Sequence, residues 1–106
     1  TAPADVLILP MTEDLSAAIS LATQLRQAGI RTQIHAEQKK FKQKMAYADK
    51  LKVPFAVLLG EDEIAEGKCS VKNMKTGEQL KLTPAEAADH IKAALNAETG
   101  ALILER

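Results

Sequence analysis

Two groups of residues in this 106-residue chain have the types and spacing to do chemistry. The first is an acidic segment, Glu61, Asp62, Glu63 and Glu66, followed by a basic run in which Lys72 stands nine residues after Glu63. A carboxylate accepts hydrogen bonds from the amino or imino groups of a nucleic-acid base, and a lysine serves base acceptors or phosphate. Unpaired bases expose those edges, so single-stranded loops are the natural targets of such a pair. The plainer alternative is a surface ion pair worth about 0–1 kcal/mol. The second group is Lys39, Lys40, Lys42, Lys44, Lys50 and Lys52, offset within that stretch only by Asp49. Its plainer alternative is a solvated helix face opposite an apolar stripe.

Other chemistry lacks its parts. Nucleophilic catalysis needs a base beside a Ser or Cys, but His35 and His90 have no spaced partner and Cys69 falls inside an apolar strand pattern. There is no GxxxxGK[ST] or GxGxxG phosphate loop, and no CxxC pair. The chain by itself therefore reads as non-catalytic, with no catalytic, cofactor-binding or metal-ligating set. Fourteen basic residues balance fourteen acidic ones, so global charge argues neither for a nucleic-acid sponge nor for a membrane-surface binder. One cysteine excludes an internal disulfide framework and suits a reducing compartment. No apolar run approaches the roughly 18–20 residues of a membrane span. The expectation is a cytoplasmic domain with no membrane contact. The first residue, Thr1, fits a piece of a longer protein.

The elements that must carry these residues follow from periodicity. With 46% hydrophobic residues but only Phe41, Phe55 and Tyr47 aromatic, the core must be aliphatic. Residues 5–9 read as a buried strand stopped by Pro10. A helix capped by Thr12 follows, with Leu15, Ile19, Ala22 and Leu25 inward and Gly29 after its end. Residues 30–36 alternate, as a strand with one polar face does near an edge or a ligand. A second helix spans about 39–52 with Phe41, Met45, Ala48 and Leu51 inward, and Pro54 ends it. Residues 55–59 are continuously apolar, as in a strand buried on both faces. After an acidic turn closed by Gly67, residues 68–74 and 78–82 form a hairpin around Gly77. Thr83-Pro84-Ala85-Glu86 is a capping box that opens a third helix, expected to end near Asn96. The result is an α/β three-layer sandwich, a mixed five-stranded sheet with about three helices. Residues 1–97 make one domain, and the apolar tail 98–106 either packs on a neighbouring surface or adds a strand.

Residues 41–50, FKQKMAYADK, and the run PFAVLLGEDEIAEGKCSVKNMKTGEQ carry a family resemblance. The chain resembles the C-terminal anticodon-binding domain of the class IIa aminoacyl-tRNA synthetases, most closely the bacterial histidyl branch. Ala48, Gly60, Glu63, Val71-Lys72 and Thr76-Gly77-Glu78-Gln79 all fall in register with its pattern. The resemblance covers about residues 4–95 and implies the same five-stranded fold. It further implies recognition of the histidine anticodon GUG, with Glu63, Lys72 and Gln38 on anticodon bases and Lys39, Lys40 and Lys42 near the tRNA backbone. A parent enzyme of this kind is a homodimer whose catalytic domain, in the same chain, uses ATP and magnesium to attach histidine to its tRNA. The competing expectation is a repurposed copy of the fold acting in protein association or regulation.

Overall fold

The computed structural model describes the backbone of residues 2–104 and the side chains of residues 2–97. The strands are β1 (Val6–Pro10), β2 (Thr32–Ile34), β3 (Phe55–Leu59), β4 (Cys69–Asn73) and β5 (Gln79–Leu82). The helices are α1 (Ser16–Gln27), α2 (Phe41–Leu51), α3 (Glu61–Glu66) and α4 (Pro84–Leu104). One sheet takes the order β2-β1-β3-β4-β5. β1 pairs parallel with β2 and β3, whereas β4 runs antiparallel to both β3 and β5. The two strands with uninterrupted apolar sequence, β1 and β3, are buried throughout. They are central neighbours covered on both faces, which is why their sequences do not alternate.

The chain leaves β1 toward β2 through α1 and returns past β1 to β3 through α2. Right-handed crossovers in opposite directions place the two helices on opposite faces. On one face Val6, Ile8, Phe55, Val57, Leu59, Cys69 and Val71 pack with Ala18, Leu21, Ala22 and Leu25 of α1 and with Ala87 and Ile91 of α4. On the other, Leu7, Leu9 and Ala56 meet Ala48, with Met45 and Leu51 packed alongside. At about 25 cal/mol per Å² of apolar surface removed from water, the first cluster contributes most of the hydrophobic stabilisation.

Several expectations change in the structure. α1 begins at Ser16 rather than beside Thr12, because Asp14 Oδ1 accepts from Ser16 N at 2.9 Å and Ser16 Oγ at 2.6 Å and holds a turn ahead of the helix. Its inward face is accordingly Ala18, Leu21, Ala22 and Leu25, and Ile19 lies 55% exposed. β2 keeps only three residues of the expected seven, as an edge strand paired with β1 alone. In α2 Met45, Ala48 and Leu51 face inward as expected, but Phe41 is 47% exposed and Lys44, at 1% exposure, is buried in its stead. The acidic turn is the helix α3, so a fourth helix joins the three expected. The capping box forms as read: Thr83 N donates to Glu86 Oε1 at 2.9 Å, and Glu86 N to Thr83 Oγ1 at 3.2 Å. α4 does not stop near Asn96 but runs through Gly100 to Leu104, so the tail is helix and not an added strand. Alanines 93, 94, 97 and 101 favour that continuation, which outweighs the roughly 1 kcal/mol cost of an interior glycine. How the apolar tail side chains pack lies outside the described residues.

Candidate nucleic-acid interface

β1 and β3 are neighbours whose connections depart to opposite sides, the arrangement that in open α/β sheets leaves a crevice beyond the carboxyl ends of the strands. Open α/β sheets bind ligands at such a switch point. Three segments converge on this end of the sheet: Met11 after β1, residues 35–40 after β2, and Gly60 with α3 after β3. Met11 N donates to Leu59 O at 2.9 Å and keeps the first and third of these in step.

Glu63 is held by a local device that explains the Gly-x-x-Glu spacing. Gly60 precedes α3 in an extended conformation, and its N–H donates to Glu63 Oε1 at 2.8 Å, three residues on. A Cβ at Gly60 would lie 2.9 Å from that same oxygen, so glycine lets the carboxylate fold back over the helix start. The bond commits Oε1 and fixes the direction of the half-buried carboxyl group. Glu63 O also accepts from Lys68 N at 2.8 Å, which seats the residue above the start of β4. Gly67, with φ of 68°, ends the helix in the left-handed conformation that glycine adopts without strain.

Lys72 lies on β4 opposite Ala56 of β3 and Gln79 of β5. Directly opposed residues share a face, so Lys72 is on the α2 side, with Ser70, Gln79 and Lys81. That helix covers β1 and β3, leaving this four-residue polar patch on the β4–β5 half. Glu63 and Lys72 do not form the simplest ion pair; Glu66 and Lys81 do, at 3.1 Å, and the bond to Glu66 holds the Lys81 pKa above its ordinary value. Gln38 is exposed in the loop after β2, a strand that lies two strand spacings, about 10 Å, from β3. Lys39 pairs with Glu37 at 3.2 Å. Lys40 and Lys42 are exposed at the start of α2, where Lys40 N donates to Gln43 Oε1 at 3.2 Å.

Lys44 is absent from this charged surface. Its Nζ donates to Pro10 O at 2.7 Å and to His35 O at 3.5 Å, tying the ends of β1 and β2 together from beneath α2. Burial pushes its pKa down, against the opposing pull of Glu37. Sequence reasoning counted it among surface lysines, although Lys44, Ala48 and Leu51 also stand at i, i+4 and i+7. His35 and Tyr47 were missed as well: their rings stack at 4.3 Å between centroids and 23° between planes. The histidine lay on the polar side of an alternating strand and the tyrosine off the apolar stripe, so neither pattern paired them.

The residues excluded from catalysis have structural surroundings. Cys69 is buried under α1 and α4, and burial, with the nearby Glu63 charge, pushes its thiol up to about 11. His90 meets Phe55 edge-on at 6.2 Å. Among the described residues, no group of three or more His, Cys, Asp or Glu side chains could hold a metal ion, and no helix is long and apolar enough to cross a membrane. A cavity of about 400 Å³ between Val53, Phe55, Met74 and Leu95 lies at the opposite end of β3 from Glu63.

Residues 5–94 match the family described as the anticodon binding domain. The chain belongs to that family. Its anticodon-binding fold is shared with histidine–tRNA ligases: 43% identity over 83% of the chain with that of Clostridium tetani, and 44% over 71% with that of Bacillus subtilis. The chain spans about a fifth of the length of these curated relatives. The crystal structure of a Nostoc histidyl-tRNA synthetase superposes with a TM-score of 0.82 at 34% identity, over 88% of this chain and 23% of that one. A Cryptosporidium parvum prolyl-tRNA synthetase superposes at 0.83 with 18% identity, over 97% of this chain and 23% of that one, a likeness of fold. These matches favour the anticodon-binding reading over an association module.

Proposed function

We propose that this chain reads the GUG anticodon of histidine tRNA within a cytoplasmic, homodimeric histidine–tRNA ligase. Glu63 accepts hydrogen bonds from base amino or imino groups, Lys72 donates to base acceptors from the polar half-face, and Gln38 approaches from the far side of the crevice. Lys40 and Lys42 meet backbone phosphates, and Lys39 does so where it leaves Glu37. Lys72 is a point charge without the planar fork of arginine, so it fixes position more than base identity. ATP and magnesium act in the catalytic domain of the same parent chain, where they activate histidine. This domain contributes affinity and tRNA discrimination at a distance from that chemistry.

The observation that supports the reading most is the Gly60–Glu63 bond, which presents a carboxylate in fixed orientation at the switch-point end of a sheet whose adjoining face carries Lys72. The experiment is aminoacylation by the full-length enzyme with Glu63→Gln and Lys72→Ala. Glu63→Gln keeps an oxygen acceptor for Gly60 and removes the charge. Each is expected to lower kcat/KM for tRNA about tenfold or more, since a good base contact discriminates by about 1–3 kcal/mol. Unchanged kcat/KM in both variants would refute the proposed contacts.

A further inference from the structure

A depression in the surface lies between the outer face of α2 and the loop after β2, the loop that also carries Gln38. Its volume is about 270 Å³. One wall is the loop after β2, with His35, Glu37 and Lys39; the other is the outer face of α2, with Gln43, Tyr47 and Lys50. Positions 43, 47 and 50 stand at i, i+4 and i+7, so one helical stripe faces the loop. The stacked His35–Tyr47 pair forms part of the lining, and Tyr47 keeps 40% of its surface exposed. Burial holds the His35 pKa down, so the ring is neutral at physiological pH and presents an aromatic face. Lys44 fixes the loop from below by taking the His35 carbonyl, and the Glu37–Lys39 ion pair closes the outer edge. The Lys50 ammonium adds a cation at the other end of the cavity.

An aromatic face, an amide and flanking lysines suit an unpaired nucleobase with its phosphate. Base-on-ring stacking is sequence-tolerant because every base has a π-face. A lysine beside it takes the phosphate as a point charge. The cavity adjoins the loop that carries Gln38, so a strand crossing the crevice would continue into it. We propose that the His35–Tyr47 cavity is a stacking subsite for one unpaired nucleobase of the anticodon loop, outside the triplet itself. The proposal rests on the anticodon-reading function above. It assigns Tyr47 a role in affinity and none in choosing GUG.

The chain has a single tyrosine, so labelling tyrosine with carbon-13 gives one set of ring signals. The probe is a GUG anticodon stem-loop, titrated at low salt beside one with the triplet changed. The result expected is a large upfield shift of the Tyr47 ring protons with GUG, and about tenfold weaker binding by Tyr47→Leu, in line with the loss of one stacked base. Tyr47→Phe restores affinity, and both variants keep the native preference for GUG. Unchanged urea unfolding of Tyr47→Leu separates lost stacking from lost structure. If the wild-type chain prefers GUG but the Tyr47 signals stay fixed and Tyr47→Leu binds as tightly, the subsite is overturned and the anticodon reading stands. If the wild-type chain has no preference for GUG, the anticodon reading falls and the subsite falls with it.

Discussion

The two faces of the sheet differ in how fully helices cover them, and the proposed recognition residue Lys72 lies on the less covered one. On the α1–α4 side, side chains of β1, β3 and β4 meet two helices in one continuous aliphatic cluster. On the α2 side, a six-residue cluster under one helix gives way across β4 and β5 to Ser70, Lys72, Gln79 and Lys81. The covered face makes the sheet rigid. The half-covered face keeps Lys72, Gln79 and Lys81 in fixed places without burying them, and only Ser70 of that polar patch is buried. Exposed side chains can therefore vary there with little penalty to the fold.

The largest expected effect breaks that comparison if it fails. Leu25→Ala, in the large cluster at 0% exposure, should destabilise the chain by about 3 kcal/mol, whereas Leu51→Ala beside the small one should cost about 1 kcal/mol. Urea unfolding measures both, and equal losses would mean that the two faces share the stabilisation.

Among the described residues each face also buries one titratable group, and the two respond to pH in opposite directions. The Cys69 thiol is raised from 9.0 to about 11, so as pH passes 9 the unfolded chain loses its proton first and stability falls. The fall should approach about 2 kcal/mol by pH 11 and vanish in Cys69→Ala. Lys44 is lowered from 10.5, so between its folded value and 10.5 the unfolded chain holds more protons and stability rises with pH. Lys44→Met should remove that rise. Unfolding free energies across the alkaline range in both variants check the two signs.

The parts legible in the sequence were those where burial wrote a one-dimensional pattern. β1 and β3 stood out because both faces are covered, and the Thr83–Glu86 box because its reciprocal bonds need only local spacing. The hairpin followed from Gly77, whose φ of 82° suits glycine. Lys44 was not legible. A long side chain whose amine reaches two strand-end carbonyls looks, by composition, like a solvated one. α3 was hidden because six mostly charged residues show no apolar period, and the Gly60–Glu63 bond that caps it joins residue types outside the usual Ser/Thr capping pattern. The His35–Tyr47 stack joins a strand end to a helix twelve residues later, a pairing that neither local period encodes.

Smaller effects sharpen the recognition side. Gly60→Ala should leave unfolding free energy nearly unchanged, since the new methyl meets only the tip of Glu63. Displacing that carboxylate should weaken GUG stem-loop binding about tenfold, or about 1.4 kcal/mol. A loss of stability without a loss of binding would place Glu63 among the structural caps alone. Smallest of all, Lys40→Ala and Lys42→Ala should each reduce the slope of log affinity against log salt by about 0.7. Lys39→Ala should change the slope less, because Glu37 already neutralises it.

The most direct test is titration of this chain at low salt with a GUG anticodon stem-loop, beside a stem-loop with all three anticodon bases changed. Recognition through Glu63, Lys72 and Gln38 gives clear preference for GUG. Equal affinity for both would contradict it, leaving only electrostatic attraction to the RNA backbone.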